Sequence, residues 1–238
     1  MMAGWARKRF WTTVDTQTTE DGHVVTLDGR PLRTPARAPL AVPTRALAEA
    51  IAREWRAQPE VIDPGAMPAT RTANSAIDKV RGQQAEVSAL ITAYGDSDLI
   101  CYRAEAPQEL IAREAEAWDP LVDWAARHYG ARLTLCHGVI HHPQPPAALA
   151  ALEPPVAAMS AFELAAFHDL VALSGSLVIG LAVREGFAPP ETLWQAAQVD
   201  ETWQIEQWGA DDEAAALTAG RRAAFLDAAR FIACLQQD

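Results

Sequence analysis

Long apolar runs, paired cysteines, basic clusters and glycine-rich nucleotide motifs are all missing from this chain of 238 residues. The longest uncharged apolar stretch, "LVALSGSLVIGLAV" from Leu170 to Val183, falls short of the roughly 20 residues that a membrane span needs. A buried helix accounts for it. Three cysteines, Cys101, Cys136 and Cys234, lie far apart without a CxxC, which fits free thiols in a reducing compartment rather than a disulfide framework. The start, "MMAGWARKRFW", lacks the apolar core of a secretory signal, so a cytoplasmic protein is expected. No run of Lys or Arg offsets a formal net charge of −11. Nucleic acid and anionic membranes are therefore not expected as partners, since both would be repelled. There is no G-x-G-x-x-G and no P-loop, which leaves dinucleotide and P-loop nucleotide chemistry without support.

Half the residues are apolar, enough to bury a real core in one large domain or two modest ones. The first forty residues read as strands and turns: "FWTTVD", "HVVTLDG" and "PLRTP", with Asp21-Gly22 and Asp28-Gly29 at the tight turns. From Thr44 the period changes, and "TRALAEAIAREWRAQ" sets Leu47, Ile51 and Trp55 on one helical face. Proline-punctuated "VIDPGAMP" connects to a helical stretch broken near Gly82. "DLICYRA" suits a short strand or extended connector. Pro120 should kink or break the helix of "PQELIAREAEAWDPLVDWAARHYG". The S-x-x-E box of Ser160 and Glu163 opens the most apolar helix, expected to run to Gly186. A continuous helix is expected from the prolines at 189 and 190 to an αL cap at Gly209. The predicted class is α+β: a small β-rich N-terminal domain (antiparallel meander or barrel) over 1–75, then a larger helical domain over 76–238.

Chemistry-bearing clusters are few. "CHGVIHH" places Cys136, His137, His141 and His142 within seven residues, but zinc needs a second ligand pair elsewhere, so no metal is expected. "LSGSLVIG" is not a nucleophile elbow, and Ser176 reads as a packing residue inside a helix. Asp96 and Asp98 in "YGDSDL" lack the downstream glutamate of a calcium loop and read as turn chemistry. No catalytic signature or cofactor follows.

"VDETWQIEQWGADDEA" from Val199 to Ala214 is the unusual segment, with six acids and two tryptophans. Asp211, Asp212 and Glu213 read as the cap and first turn of the next helix, where acids complement the dipole. On the assumed continuous helix, Leu193, Trp194, Ala197, Gln204, Ile205 and Trp208 share one arc with Glu201 in its middle. Asp200 lies at the rim, and Glu206 faces away beside Val199 and Trp203. A carboxylate among apolar groups must pair, hydrogen-bond or hold its proton. Three readings stay open for Glu201: an internal pair with Arg71, Arg103 or His168, a grip on another protein, or acid-base catalysis in a small cytoplasmic hydrolase or lyase.

Taken in order, "LDGRPLRTP", "PLAVPT", "LAEAIAREW" followed by Gln58, "IDP" with "MPATR", "DLICYRAE", "WDPLVDWA", "FELAAFHDLVALSGSLVIGLAV" and "DETWQIEQWG" resemble the assembly chaperones of the ATP synthase F(1) sector that act on its alpha subunit. The resemblance implies no cofactor, no enzymatic turnover, and a protein that holds the unassembled alpha subunit until its beta partner arrives. It implies Glu201, Gln204 and Trp208 as partner-binding residues, with Trp203 beside them. Trp55 and Trp118, in the "EW" and "WDP" motifs, are expected to be structural, and the free protein a monomer. The family often has threonine where this chain has Ser97, a departure of one methyl.

Overall fold

A computed structural model describes residues 8–138 and 140–237; most of the N-terminal stretch read for a leader, residues 1–7, lies outside them. The chain divides into two compact units. One comprises the residues up to Gln83 with Ala161–Ala166 and the segment from Arg230 onward; the other comprises Gln84–Ser160 and Phe167–Ala229.

The first unit holds the sheet. Strand β1 (Val14–Thr19) pairs antiparallel with β2 (Gly22–Leu27) in register Val14 to Leu27. Short β3 (Arg30–Pro31) and β4 (Ala41–Val42) also pair with β2, which is therefore central. Both Asp-Gly pairs sit at turns. Gly22 has φ 126°, and a Cβ there would lie 2.6 Å from the Val42 carbonyl oxygen, so only glycine fits. Asp28 and Gly29 both have positive φ, the type I′ geometry whose twist suits a hairpin. The Asp28 carboxylate accepts from the Thr13 and Thr12 amides at 2.8 and 3.0 Å. Those bonds hold its pKa down at about 2.

Helix α1 (Arg45–Arg56) starts at Thr44, whose hydroxyl accepts from the Leu47 amide and donates to the Cys234 carbonyl at 2.7 Å. Its face of Leu47, Ala48, Ile51 and Ala52 is buried and packs on β1 and β2. Trp55 is half-buried and its ring meets Trp11 at 5.0 Å. Glu54 has a second task. It accepts from the Ala69 and Thr70 amides at 2.6 and 2.8 Å and from the Thr70 hydroxyl. It thus caps α2 (Pro68–Asp78), whose own N-cap, Met67, offers no side-chain bond.

The second unit is helical: α3 (Gln84–Thr92), α4 (Gln108–Tyr129), α5 (Pro146–Ala157), α7 (Leu177–Arg184), α8 (Pro190–Ala196) and α9 (Val199–Trp208). Helices α6 (Ala161–Ser174) and α10 (Asp212–Leu235) contribute most of their length. "DLICYRA" forms a 3-10 turn and then β5 (Tyr102–Arg103), which pairs parallel with β6 (Cys136–His137). Among the described residues no helix is long and apolar enough to cross a membrane. The expected α+β class is observed: a small antiparallel sheet, then a mostly helical chain.

Three helix expectations are corrected. Helix α4 runs through Pro120 without the expected break; Pro120 lies on its exposed side. Trp118 and Leu121 anchor the opposite side. The long apolar helix stops at Ser174, and Gly175 (φ 70°) lets the chain turn. Ser176 is therefore the N-cap of α7, accepting from the Ile179 amide at 3.0 Å, rather than a packing residue. Fully buried Asp98 accepts from the Val178 amide at 3.0 Å and the Ile100 amide at 3.3 Å. Burial nevertheless pushes its pKa up to about 6, against the pull of those bonds and one with Ser176. The third correction, at α8 and α9, shapes the candidate site.

Candidate partner-binding groove

The expected continuous helix from Pro190 to Gly209 is two helices, and the break falls where the Ala196 carbonyl is bonded from another helix. The buried Trp118 indole donates to it at 2.7 Å. In an unbroken helix that carbonyl would accept from the amide of Asp200, four residues on. The chain instead closes α8 with bonds from Ala197 to Leu193 and from Gln198 to Gln195, then restarts at Val199. Gly209 ends α9 at φ 89°, ψ 164°, an extended mirror-region conformation open to glycine and not the αL cap expected.

The break changes which residues of α9 face inward. Trp203, expected to face away, is the one buried residue of α9. The Arg113 guanidinium lies 4.8 Å from its ring and pairs with Glu206 at 2.6 Å. Glu201, expected amid apolar groups, is exposed, and its carboxylate meets no hydrogen-bond donor among the described residues. Of the partners considered for it, Arg103 pairs with Asp119 at 2.8 Å and His168 with Asp169 at 3.1 Å, while Arg71 belongs to the other unit. Gln204 is exposed, and Trp208 is 78% exposed. Asp211 caps α10 as expected, accepting from the Ala214 amide at 2.8 Å.

Asp200 takes the internal position that Glu201 was expected to hold. It is half-buried against Glu114 of α4, which accepts from the Ala104 amide at 2.8 Å. Burial, then the Glu114 charge and a hydrogen bond with Glu114, push the Asp200 pKa up to about 6. An apolar window around this position would have flagged an acid, but the residue concerned is off by one.

Between α9 and the segment from Tyr102 to Leu110 lies a groove of about 540 Å³. Trp203, Gln204, Gln207 and Trp208 form one wall; Pro107 and Leu110 contribute to the other, with Asp200, Glu114 and Arg103 also lining it. Glu201 is on α9 but does not line the groove. Arg103 is 6% exposed. Its Nε donates to the Ile100 carbonyl at 3.0 Å, its Nη1 serves Asp119, and its Nη2 is buried with no partner. Sequence reasoning missed Arg103 and Asp200 as groove residues, since nothing local brings β5 to α9.

The remaining candidates lie elsewhere. Cys136 is buried and its neighbour His137 exposed, as extended backbone dictates. His141 meets the Tyr102 hydroxyl at 2.9 Å and Asp96 at 3.4 Å. Among the described residues no three His, Cys, Asp or Glu side chains cluster as a metal site would require.

Comparison with known proteins places this α+β protein among chaperones. The profile of the ATP12 chaperone protein family matches residues 8–126. This chain belongs to that family. It is 25% identical over 219 residues to the mitochondrial protein atp12 of Schizosaccharomyces pombe, covering 87% of this chain and 75% of that protein. The crystal structure of Atp12 from Paracoccus denitrificans is 50% identical and superimposes with a TM-score of 0.93, over 98% of this chain and 100% of that one. An aspartate-to-lysine mutant of the Paracoccus denitrificans Atp12p matches equally, with 50% identity, a TM-score of 0.93, and 97% and 99% covered.

Proposed function

We propose that this protein is an assembly chaperone of the ATP synthase F(1) sector that binds the unassembled alpha subunit in the cytoplasm and masks its apolar interface until the beta subunit replaces it. The observation that carries the reading is Trp208, 78% exposed beside a groove. Ile205, on the same helix, is 46% exposed. Large apolar side chains held in water beside a concave surface mark an interaction site. Masking is stoichiometric, needs no cofactor and no turnover, and must be reversible because the true partner takes over. Glu201, exposed at the start of α9, is a recognition charge in this reading, and Gln204 and Trp208 are contact residues beside Trp203. Acid-base catalysis by Glu201 draws no support from the geometry, because its carboxylate has no hydrogen-bond partner among the described residues and it does not line the groove.

The test is co-expression with the alpha subunit of the same genome, without beta. Wild type should keep alpha soluble in a one-to-one complex. Glu201→Lys, on an exposed helix face, should fold normally and leave most alpha insoluble. If alpha aggregates equally with and without this protein, the chaperone reading fails; if folded Glu201→Lys works as well as wild type, the site assignment fails.

A further inference from the structure

Helix α10 carries a packing face that runs on past the fold. In its second half Phe225, Ala228 and Ala229 are buried, and the Phe225 ring lies 5.4 Å from that of Trp194 on α8. Ala214, Leu217 and Thr218 stand eleven residues before those three. Eleven residues are about three turns, so the two sets share one side of the helix, ~16 Å apart along its axis. The earlier set is open to solvent. Ala214 is exposed, Leu217 is 66% exposed, and Thr218 is partly covered. Every other residue from Gly209 to Ala223 is exposed too. Arg221 and Arg222 tie the helix to its unit, donating to the Leu173 carbonyl at 2.9 Å and to Glu191 at 2.8 Å. The turns before them lack the tertiary packing that stabilises most protein helices. Gly220, with open space where a Cβ would stand, lowers their helix propensity further.

Charge narrows what can cover this face. From Gly209 to Gly220 the chain has Asp211, Asp212 and Glu213 and no Lys or Arg. Arg222, just beyond, is answered by Glu191. The tip of the arm is therefore negative. A second copy of the chain would set like charges against each other, with a net −11 on each, which disfavours self-association. An apolar surface bordered by lysine or arginine answers both the Leu217 side chain and the acids.

We propose that the exposed first turns of α10 are a client-binding arm, which lays its Ala214, Leu217 and Thr218 face along an apolar surface of the client bordered by basic residues. The packing face of α10 is completed by the client where the chaperone's own fold stops. The proposal rests on the chaperone reading above and adds a second hold on the same client, on a different helix from the Trp208 wall of the groove.

Amide hydrogen exchange on the full chain, free and in the one-to-one complex with the alpha subunit of the same genome, tests it. The amides of residues 214–219 should exchange fast in the free protein and about tenfold or more slowly in the complex. Leu217→Ser should keep the melting temperature of wild type and lower the yield of soluble alpha on co-expression by about fivefold. Asp212→Asn combined with Glu213→Gln, which leaves the Asp211 cap in place, should lower it by about two- to threefold. Unchanged exchange of 214–219 in the complex, full rescue by Leu217→Ser, or indifference to the loss of the two acids would each overturn the proposal. A lowered melting temperature for Leu217→Ser would put that side chain in the protein's own core and overturn it as well. So would a dimer of the free chain that Leu217→Ser abolishes, since the face would then belong to a second copy. Failure of wild type to keep alpha soluble sinks the chaperone reading and the arm's client with it. A soluble complex in which the arm still exchanges freely sinks the arm alone.

Discussion

Glu54 and Trp55 on α1, and Glu201 with Trp208 on α9, combine the same two residue types on helices of 12 and 10 residues. In the first pair everything is turned inward. Glu54 accepts three hydrogen bonds at the start of α2, and Trp55 lies against Trp11. Gln58, three residues on, is buried and accepts from the Asp63 amide at 2.8 Å. In the second pair nothing is used internally: Glu201 has no described hydrogen-bond partner, and Trp208 stands in solvent. An acid beside a tryptophan is thus no signature by itself. What separates the two is whether a neighbouring element offers unsatisfied backbone amides to the acid and an apolar surface to the ring.

Mutations can break that comparison. The largest effect is expected at the two tryptophans: Trp55→Ala should cost about 3 kcal/mol in urea unfolding, as deletion of large packed rings does, whereas Trp208→Ala should stay within about 0.5 kcal/mol. Equal costs would mean that Trp208 is packed in solution. Next come the acids. Glu54→Ala leaves two amides at the start of α2 without their acceptor and should cost about 2 kcal/mol; Glu201→Ala should be close to neutral by the same measurement.

The smallest effect concerns pH and sharpens the view of α9. The Asp200 pKa is raised from 3.8 to about 6, so its contribution to stability is fully present below about pH 4 and is lost as pH rises through 6. Asp98 adds a fall in the same window. Asp200→Asn, which stays neutral while still able to donate to Glu114, should flatten part of that fall in unfolding curves taken from pH 4 to 7. A slope unchanged from wild type would show that the folded protein does not hold the Asp200 pKa above its ordinary value, by burial or by Glu114.

Local chemistry was legible from the sequence wherever a residue's partner lies within a few positions. The Asp-Gly turns, the start of α1 at Thr44 and the Asp211 cap of α10 all satisfy backbone groups of their own neighbourhood, and all were read correctly. Reading failed where a distant side chain took over a backbone group. Trp118 lies 78 residues from the carbonyl it bonds, at the point where α8 gives way to α9 and Trp203 comes to face inward. Asp98 caps the start of α7 from 80 residues away, where Gly175 opens the turn. Pro120 in isolation says that a helix kinks or breaks; with Pro120 on the exposed side and Trp118 buried opposite, the helix continues.

The α+β class, the hairpin turns and the family resemblance were determined by the sequence alone, because propensity, turn chemistry and motif order are local properties of the chain. Which acid is held inside and which is presented outside was decided only by the tertiary structure. On a helix of 3.6 residues per turn, moving the start of α9 changes the face of every residue in it. That start coincides with a bond from a buried indole on another helix, 78 residues away in the chain.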